Sequence, residues 1–474
     1  MFNKTIFKQT LKQNWKLWLI LTALMALMVS AMIATFDPVR IQMAAEAFGD
    51  TAGMGGPGGR GGGGGGDVTL VGMIGNGFFG MWGLVIPLIY VIVTAISLIV
   101  SKVDRGSMAY TLSTPIKRLK VIGTQAIYLM GSTFAMFLVV TIVGLGVVQL
   151  AHGALTADEH TPDMVAAAEV LGISPGELAS TIPLMLENPE AITAGANARD
   201  IPEDVYTLYL AMRMMNYLTD GLYSITGMTI AELQANPEEI LENQEVIDFI
   251  AGVFGFSQEE IDAMLADAAN GYDDYAYDEY AEDYEEVPAA TQEMLMIGLT
   301  AAADYLGMGT VDLMAEIRIV RENPNALAVA VSESGATEEE VVNFVNQLWA
   351  SNELALDEGM QFSLADFISL NLGAFLLMFA IGGITFLASS VFNLSKNALI
   401  IGAGLPVGFL ILEMLSQISE DFERLRYLTL NTLFDPSVIS NGGTFIPQFI
   451  ALAVIGLVLY VLGIKSFNDK DLPL

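Results

Sequence analysis

Few residues in this sequence have the type and spacing that covalent or metal chemistry requires. The 474 residues include no cysteine, which excludes a thiol nucleophile or a thiolate metal site, and two histidines leave little for a zinc or heme site. The dipeptide Gly-Lys does not occur, so the Gly-x-x-x-x-Gly-Lys-Ser/Thr loop that cradles nucleotide phosphates is missing. We therefore expect no catalytic residue, no metal ligand and no cofactor bound by this chain.

Glu413 is the one acidic or basic residue within the long apolar segments of the sequence. An ionisable residue inside a membrane is a functional candidate by default. Glu413 lies close to the end of its segment, however, where the carboxylate can also reach the membrane surface. Both interpretations stay open: an intramembrane polar site and an interfacial carboxylate without a special role.

A second candidate is the segment 271–286, which interleaves five tyrosines with eight acids. Carboxylates attract cations and aromatic faces bind ammonium groups, so the segment is suited to capture cations or basic peptides. The alternative is a solvated loop between two helical units. The acids of this candidate cation-capture segment are Asp273, Asp274, Asp278, Glu279, Glu282, Asp283, Glu285 and Glu286.

The elements that position these residues follow from the distribution of charge. Charge-free stretches longer than the ~20 residues that a spanning helix needs recur along the chain. They predict an all-α membrane protein with six transmembrane helices. The predicted helices are about Leu17–Phe36, Met81–Val100, Val121–Leu150, Phe367–Ser390, Ala398–Ile418 and Phe445–Ile464. Phe2–Lys16, with apolar and lysine faces at helical spacing, predicts an interfacial helix before the first of them.

Lysine and arginine set the orientation, because they concentrate on the cytoplasmic side of membrane proteins. With the N-terminus inside, 12 of the 20 basic residues lie on the cytoplasmic side. We therefore expect a multi-pass protein of a bacterial-type plasma membrane, with both termini cytoplasmic and residues 152–362 extracellular. A nucleic-acid partner is excluded because the net charge is −34.

The predicted domains are 1–151 (interfacial helix and helices one to three), 152–362 (an acidic extracellular helical domain) and 363–474 (helices four to six). Residues 152–362 carry 41 acids and four arginines, a net −37, whereas the rest has 16 basic and 13 acidic residues. The middle segment is also rich in apolar stretches that can bury a helix face, so it predicts a folded domain.

A helix-start signal recurs in this middle segment: Ser or Thr, followed three residues later by Glu and preceded by Gly two residues earlier. Its four copies begin at Ser174, Thr229, Ser257 and Thr337. The stretch from Gly227 also matches the stretch from Gly307 in frame, 80 residues later. This spacing predicts a duplicated helical unit, with a weaker trace of a third copy around Ser174; the alternative is that such boxes are common in any helical domain.

The loop Ser101–Lys120 has a turn at Gly106 and a Ser-Thr-Pro at Pro115, which predict a short helix along the membrane surface; a basic patch that only fixes topology is the alternative. It resembles the loop after the second span of ABC-2 type permeases, the membrane subunits of ATP-binding-cassette exporters. The matching residues are Asp104, Gly106, Leu112, Ser113, Pro115 and Arg118. The family's glutamate is an aspartate here, and Gln125 stands near the position of its lysine.

Two further segments are similar to the same family. One is Arg426-Tyr-Leu-Thr-Leu-Asn-Thr-Leu-Phe-Asp-Pro436 before the last span, and the other is Phe467-Asn-Asp-Lys-Asp-Leu472 at the end. The resemblance covers residues 1–151 and 363–474 and does not extend to 152–362. The order of the motifs and the topology together make the resemblance fairly specific.

The resemblance implies a permease that pairs with a second permease chain, identical or not, and with two copies of a separate ATPase subunit. ATP and Mg would be bound by that ATPase, and membrane lipids would surround the spans. The ATPase-coupling loop would comprise Asp104, Arg105, Gly106, Leu112, Pro115 and Arg118. The residues themselves leave two other functions open: a secondary transporter, and a membrane-anchored receptor or scaffold with a ligand-capturing outer domain.

Overall fold

The computed structural model describes residues 2–48, 69–108, 116–155, 161–179, 182–229, 232–233, 243–254, 256, 260, 289–416 and 420–470. The regular elements of these residues are all helical. The chain forms two compact units, each described by itself below. The membrane unit comprises Met1–Pro38, Phe48–Ala157 and Gly359–Leu474, and the acidic unit comprises Val39–Ala47 and Asp158–Glu358.

The membrane unit contains six helices long and apolar enough to cross a membrane. Numbered in chain order, spans 1 to 6 are Lys4–Ala34, Leu70–Asp104, Arg118–His152, Leu364–Val391, Ser395–Ser416 and Ile446–Asp469. Burial within the unit reaches 72% of the most apolar stretch of span 2 and 67% of span 4, against 17–28% in the other four. Spans 2 and 4 are therefore the central helices. The prediction of an all-α membrane protein with six spans is confirmed.

The first helix differs from its prediction, because Phe2–Lys16 does not form an element of its own. Lys4–Ala34 is one continuous helix that contains neither glycine nor proline, so nothing in the sequence breaks it near Lys16. Asn3 caps it by accepting hydrogen bonds from the N–H groups of Thr5 and Ile6. The expected interfacial helix is the first half of span 1.

Span 2 begins eleven residues before its predicted start and includes an irregular stretch. Its parts are the α-helices Leu70–Met73, Gly83–Leu98 and Val100–Asp104, with a π-helix at Ile74–Trp82 between the first two. π-Helical turns are rare and frequently mark functional sites. The π-helix is therefore the first structural feature that directs attention to this end of the membrane unit.

Spans 4 and 6 approach each other so closely that glycine is required at the contact. A Cβ added to Gly456 would lie 2.4 Å from the Phe379 ring, and one added to Gly383 would lie 2.8 Å from Leu459 Cβ. A Cβ at Gly463 would lie 2.8 Å from the Phe386 ring. Small residues at helix interfaces permit this kind of close packing in membranes.

The acidic unit contains the same sequence of five helices twice. The first copy is Pro162–Leu171, Pro175–Ala179, Ile182–Leu186, Pro189–Arg199 and Glu203–Thr226. The second copy is Ala289–Leu306, Thr310–Ala315, Arg318–Glu322, Pro324–Ser334 and Glu338–Gly359. The helices Pro38–Phe48 and Gln244–Phe254 complete the described α-helices longer than seven residues outside the membrane spans.

A constant offset of 135 residues relates the two copies: 172 to 307, 188 to 323 and 203 to 338. Gly172 and Gly307 both have a left-handed backbone, with φ of 70° and 71°. Asn188 and Asn323 each cap the helix that follows by accepting bonds from the second and third N–H groups beyond. The copies therefore pair the stretch around Ser174 with that after Gly307, whereas the sequence analysis paired Gly227 with Gly307.

The predicted capping boxes form where the structure describes them. Thr229 N–H donates to Glu232 Oε2 at 2.8 Å, and Glu232 N–H donates back to Thr229 Oγ1 at 3.3 Å. Thr337 and Glu340 repeat this arrangement at 2.7 and 3.3 Å. The structure describes neither Ser257 nor the side chain of Glu177, so the boxes that begin at Ser257 and Ser174 stay predictions.

Val39–Ala47 belongs to the acidic unit, although the sequence analysis placed it with residues 1–151. Val39 and Met43 are buried in the apolar core of that unit. Arg40 adds an ion pair to Asp312 at 2.7 Å between Nη1 and Oδ1. Val39 and Met43 are four residues apart, so they share one face of this short helix, and that face packs in the acidic unit. The sequence analysis divided the chain at the charge-free stretches and could not detect this.

Candidate functional site

Polar side chains connect the ends of several spans at one end of the membrane unit. Asp104, at the end of span 2, accepts a hydrogen bond at Oδ2 from the Ser395 N–H at 3.3 Å. Ser395 is the first residue of span 5, whose N-terminal N–H groups have no partner within the helix. The Asp104 carboxylate therefore caps span 5 from another helix and complements its dipole.

Lys470 makes the corresponding contact with the C-terminal end of span 4. Its Nζ donates to the carbonyl oxygens of Phe392 at 2.7 Å and Ser390 at 3.1 Å. Arg118, at the start of span 3, donates from Nη1 to the Lys470 carbonyl at 2.9 Å. Burial lowers the pKa of Lys470 to about 8, so this contact carries a full positive charge only below that pH.

Together, Asp104, Ser395, Arg118, Lys470 and the two span 4 carbonyls form what we call the end clamp. It connects the two sides of the loop between spans 2 and 3 with spans 4, 5 and 6. Of the predicted coupling residues, Asp104 and Arg118 belong to the clamp, whereas Arg105 is exposed and Gly106 forms a turn with φ of 69°. Leu112 and Pro115 lie outside the described residues, so the role of the loop stays a prediction.

A cavity of about 130 Å³ lies at the opposite end of the membrane unit. Its wall is formed by the π-helix of span 2 and the first turn of the helix after it, by the last turns of span 5, and by the connection from 420 to 440. That connection includes two 3₁₀-helices, Glu420–Leu428 and Asn431–Leu433. The polar or aromatic lining of the cavity includes Asn76, Phe79, Glu413, Arg426, Asn431 and Asp435.

An ion pair and a helix cap fix the geometry of this cavity. Arg426 Nη2 lies 2.8 Å from Asp435 Oδ2. The Oδ1 atom of Asp435 accepts bonds from the N–H and hydroxyl of Ser437 at 3.1 and 2.5 Å, which caps the helix Pro436–Ser440. Although burial opposes it, these bonds and Arg426 hold the pKa of Asp435 below its ordinary value, so the carboxylate stays charged.

Glu413, the candidate from the sequence, is part of the cavity wall. Its Oε2 accepts a 3.4 Å hydrogen bond from the hydroxyl of Thr429. The sequence analysis did not select Arg426, Asn431 or Asp435 as site residues. The signal that could have found them is the Arg426–Pro436 segment of the family resemblance, which the structure brings beside Glu413.

The acidic unit contains a buried charge network around Arg199, which the sequence analysis missed. The guanidinium lies 3.1 Å from Asp163 Oδ1 and 3.3 Å from Glu353 Oε2, and it also contacts Asp357 directly. It donates to the Tyr209 hydroxyl at 2.9 Å. Although burial opposes it, the attraction of Arg199 holds the pKa of Asp163 below its ordinary value.

The residues that the structure describes include neither a metal site nor the cation-capture segment. Between residues 2 and 470, in the ranges given above, no group of three or more His, Asp or Glu side chains is arranged to hold a metal ion. The acids at 273–286 lie outside these ranges, so cation capture there stays a prediction.

Comparisons with protein-family models, curated proteins and solved structures found no match.

Proposed function

We propose that this chain is the permease subunit of an ATP-binding-cassette exporter, driven by ATP that separate ATPase subunits hydrolyse. The observation that carries the proposal is the end clamp. The loop that resembles the family's ATPase-coupling loop is bounded by Asp104 and Arg118, and both contact other spans through hydrogen bonds. A second permease chain, two ATPase copies, and ATP with Mg on those copies complete the proposed transporter.

The clamp gives this proposal a mechanical path. A displacement of the loop would act through Asp104 on the start of span 5, and through Arg118 and Lys470 on the end of span 4. Spans 4 and 6 pack through glycine contacts, so they would move together rather than deform. Rocking of such a rigid group between two packings is a known form of transport transition.

The first prediction is that ATP hydrolysis needs a partner. The purified chain in lipid nanodiscs is expected to hydrolyse no ATP, and addition of a cassette ATPase encoded near its gene is expected to produce a stable complex that does. The measurement is phosphate release together with co-elution on gel filtration. Hydrolysis by the chain alone, or no complex with any neighbouring cassette ATPase, would contradict the proposal.

The clamp is tested in the same complex with Asp104→Ala and Arg118→Ala. Each removes a charge-assisted bond, so we expect ATP-driven movement of the spans to fall about tenfold while hydrolysis continues. Because the chain has no cysteine, spin labels at engineered cysteines replacing Leu150 and Ile446, both exposed, can report that movement. Lys117→Ala, which removes a neighbouring exposed charge, is the matched control and should leave the movement unchanged.

We also propose a plasma-membrane location with both termini cytoplasmic and residues 152–362 extracellular. A cysteine replacing the exposed Ser332 should then react with a membrane-impermeant maleimide on intact cells. A cysteine replacing the exposed Ser107 should react only after the membrane is opened. The reverse labelling pattern would invert the topology.

A secondary transporter is the second candidate, favoured by one observation: Glu413 lines a cavity beside the π-helix of span 2. Secondary transporters place ionisable groups at interrupted helices. The spin-label experiment separates the two functions, because an imposed ion gradient without ATP should move the spans of a secondary transporter and leave those of the ABC permease unchanged.

A further inference from the structure

Four lysines on the first half of span 1 have no counter-charge among the residues that the structure describes. All four are exposed and each is four residues from the next, so they follow one side of the helix: Lys4, Lys8, Lys12 and Lys16. No acid precedes Asp37 in the sequence, and none of the four lysines forms an ion pair with a described residue. Such a row of cations attracts an anionic occupant.

Exposed apolar side chains interleave with these lysines. Residues 8, 11, 12, 15, 16 and 19 have the spacing of a single helix face, and they alternate between lysine and an apolar residue. The apolar members, Leu11, Trp15 and Leu19, are between 45% and 51% exposed. We call the seven residues, with Lys4, the lysine face. Leu11 and Trp15 thus share a face with the lysines, whereas the sequence analysis expected separate faces.

The lysine face continues into the surface of span 1 that borders lipid chains. Lys16 is the last charged residue before the 20-residue apolar run 17–36, so it lies at the level of the lipid headgroups. Trp15 beside it fits the aromatic belt of a membrane interface. Further along the span, Ile20, Leu24 and Leu27 are exposed. An occupant of this face therefore meets positive charge and apolar surface together, which a phospholipid matches and a soluble acidic protein does not.

Span 3 adds a fifth lysine beside the start of the face. The Asn3 N–H donates to the Thr124 hydroxyl at 2.9 Å, which holds the first turn of span 1 against span 3. Thr124 in turn donates to the carbonyl of Lys120, whose side chain is exposed. Lys4 and Lys120 therefore flank one contact between the two helices, and both helices contribute cations at this membrane surface.

We propose that the lysine face binds anionic phospholipids of the surrounding leaflet in preference to zwitterionic ones. The lipid phosphate contacts Lys12 and Lys16, one acyl chain packs along the exposed apolar residues that follow, and the remaining lysines add attraction at longer range. A zwitterionic lipid carries the same phosphate, but its own ammonium compensates the charge. The inference goes beyond the proposed function, because a secondary transporter or a scaffold with the same span 1 would bind the same lipids.

The test is fluorescence quenching in the full-length chain, assembled in nanodiscs without an ATPase. Because the chain has no cysteine, a single engineered cysteine that replaces Leu19 can carry a bimane fluorophore. Phosphatidylglycerol and phosphatidylcholine with the same brominated chains are compared at matched fractions in unlabelled phosphatidylcholine. We expect phosphatidylglycerol to bind beside the label about fivefold more strongly. This preference should decrease as the salt concentration rises from about 0.1 M to about 1 M. Equal quenching by the two lipids would overturn the proposal.

Variants of the labelled chain locate the interaction. Lys12→Gln combined with Lys16→Gln should reduce the preference to less than about twofold, because the two charges nearest the phosphate are lost. Lys12→Arg combined with Lys16→Arg should retain it, which separates a lost charge from a disturbed helix. Lys396→Gln, at an exposed lysine of span 5, is the matched control and should leave the preference unchanged.

A second label position tests whether the preference is local. A cysteine replacing Val454, which is exposed in the charge-free part of span 6, should report no preference between the two lipids. The same preference at Val454 as at Leu19, or a full preference in the double glutamine variant, would overturn the assignment to the lysine face. Because no ATPase is present, failure of this experiment leaves the permease proposal standing, and failure of the ATPase experiment leaves the lipid proposal standing.

Discussion

Replacing Arg199 with alanine is expected to lower the free energy of unfolding of the acidic unit by about 3–5 kcal/mol, the cost of breaking a buried ion pair from one side. The Arg199 side chain is 9% exposed and that of Asp163 is fully buried, so the variant leaves a carboxylate inside the protein without its cation. Hydrogen exchange of the full-length protein measures this locally. Amides of Pro162–Leu171 and Pro189–Arg199 should lose protection.

Two further variants make the interpretation specific. Arg318→Ala removes an exposed arginine of the same unit and should change stability by no more than about 0.5 kcal/mol. Asp163→Asn combined with Arg199→Met should be less destabilising than Arg199→Ala alone, because the fully buried charge is removed with its partner. If Arg199→Ala and Arg318→Ala were equally mild, the network would not stabilise the unit.

The second copy of the five-helix arrangement has no counterparts of the residues that the first copy contributes to this network. At the offset of 135 residues, Asp163, Arg199 and Tyr209 correspond to Gly298, Ser334 and Phe344. The apolar positions, in contrast, are kept: Leu178 and Leu313 are both fully buried. The two copies therefore share one packing pattern, and each adds different charges to it: Asp163 and Arg199 come from the first copy, and Glu353 and Asp357 come from the second.

The sequence predicted the parts of the fold that depend on local patterns. Charge-free runs identified all six spans, because no charged side chain can be placed at the centre of a bilayer at small cost. The Thr-x-x-Glu boxes at Thr229 and Thr337 form as expected, because both partners lie within one helical turn. The π-helix was missed, since hydropathy does not distinguish it from an α-helix.

The candidate sites were predictable only where one residue stands out by itself. Glu413 was found because it is a lone acid in an apolar segment, and the cavity wall includes it. The buried amide of Asn431 in that wall has no sequence signal, because its burial depends on how the 420–440 connection folds. The partners of Arg199 were hidden for a similar reason: Asp163 lies on another helix of the first copy, and Glu353 and Asp357 lie in the second copy.

A large effect is also expected in the membrane unit, from Gly456→Leu at the contact of spans 4 and 6. Even a single Cβ at Gly456 would lie 2.4 Å from the Phe379 ring and 3.3 Å from Ala380 Cα. The ring can rotate away, but the backbone of span 4 cannot, so the remaining leucine atoms must force the two helices apart. Overpacking of this kind costs about 1–3 kcal/mol, and in a contact between backbones we expect the upper end of that range.

The measurement is thermal unfolding of the full-length protein in detergent, followed by gel filtration to detect aggregation. Gly408→Leu is the matched control, because a Cβ at Gly408, in span 5, would have no neighbouring atom within 4 Å and the added side chain can face the detergent. We expect Gly456→Leu to lower the midpoint of unfolding clearly and Gly408→Leu to leave it nearly unchanged. Equal stability of the two variants would show that spans 4 and 6 are not packed through their glycines. It would also contradict the proposed mechanical path, which requires spans 4 and 6 to move as a rigid pair.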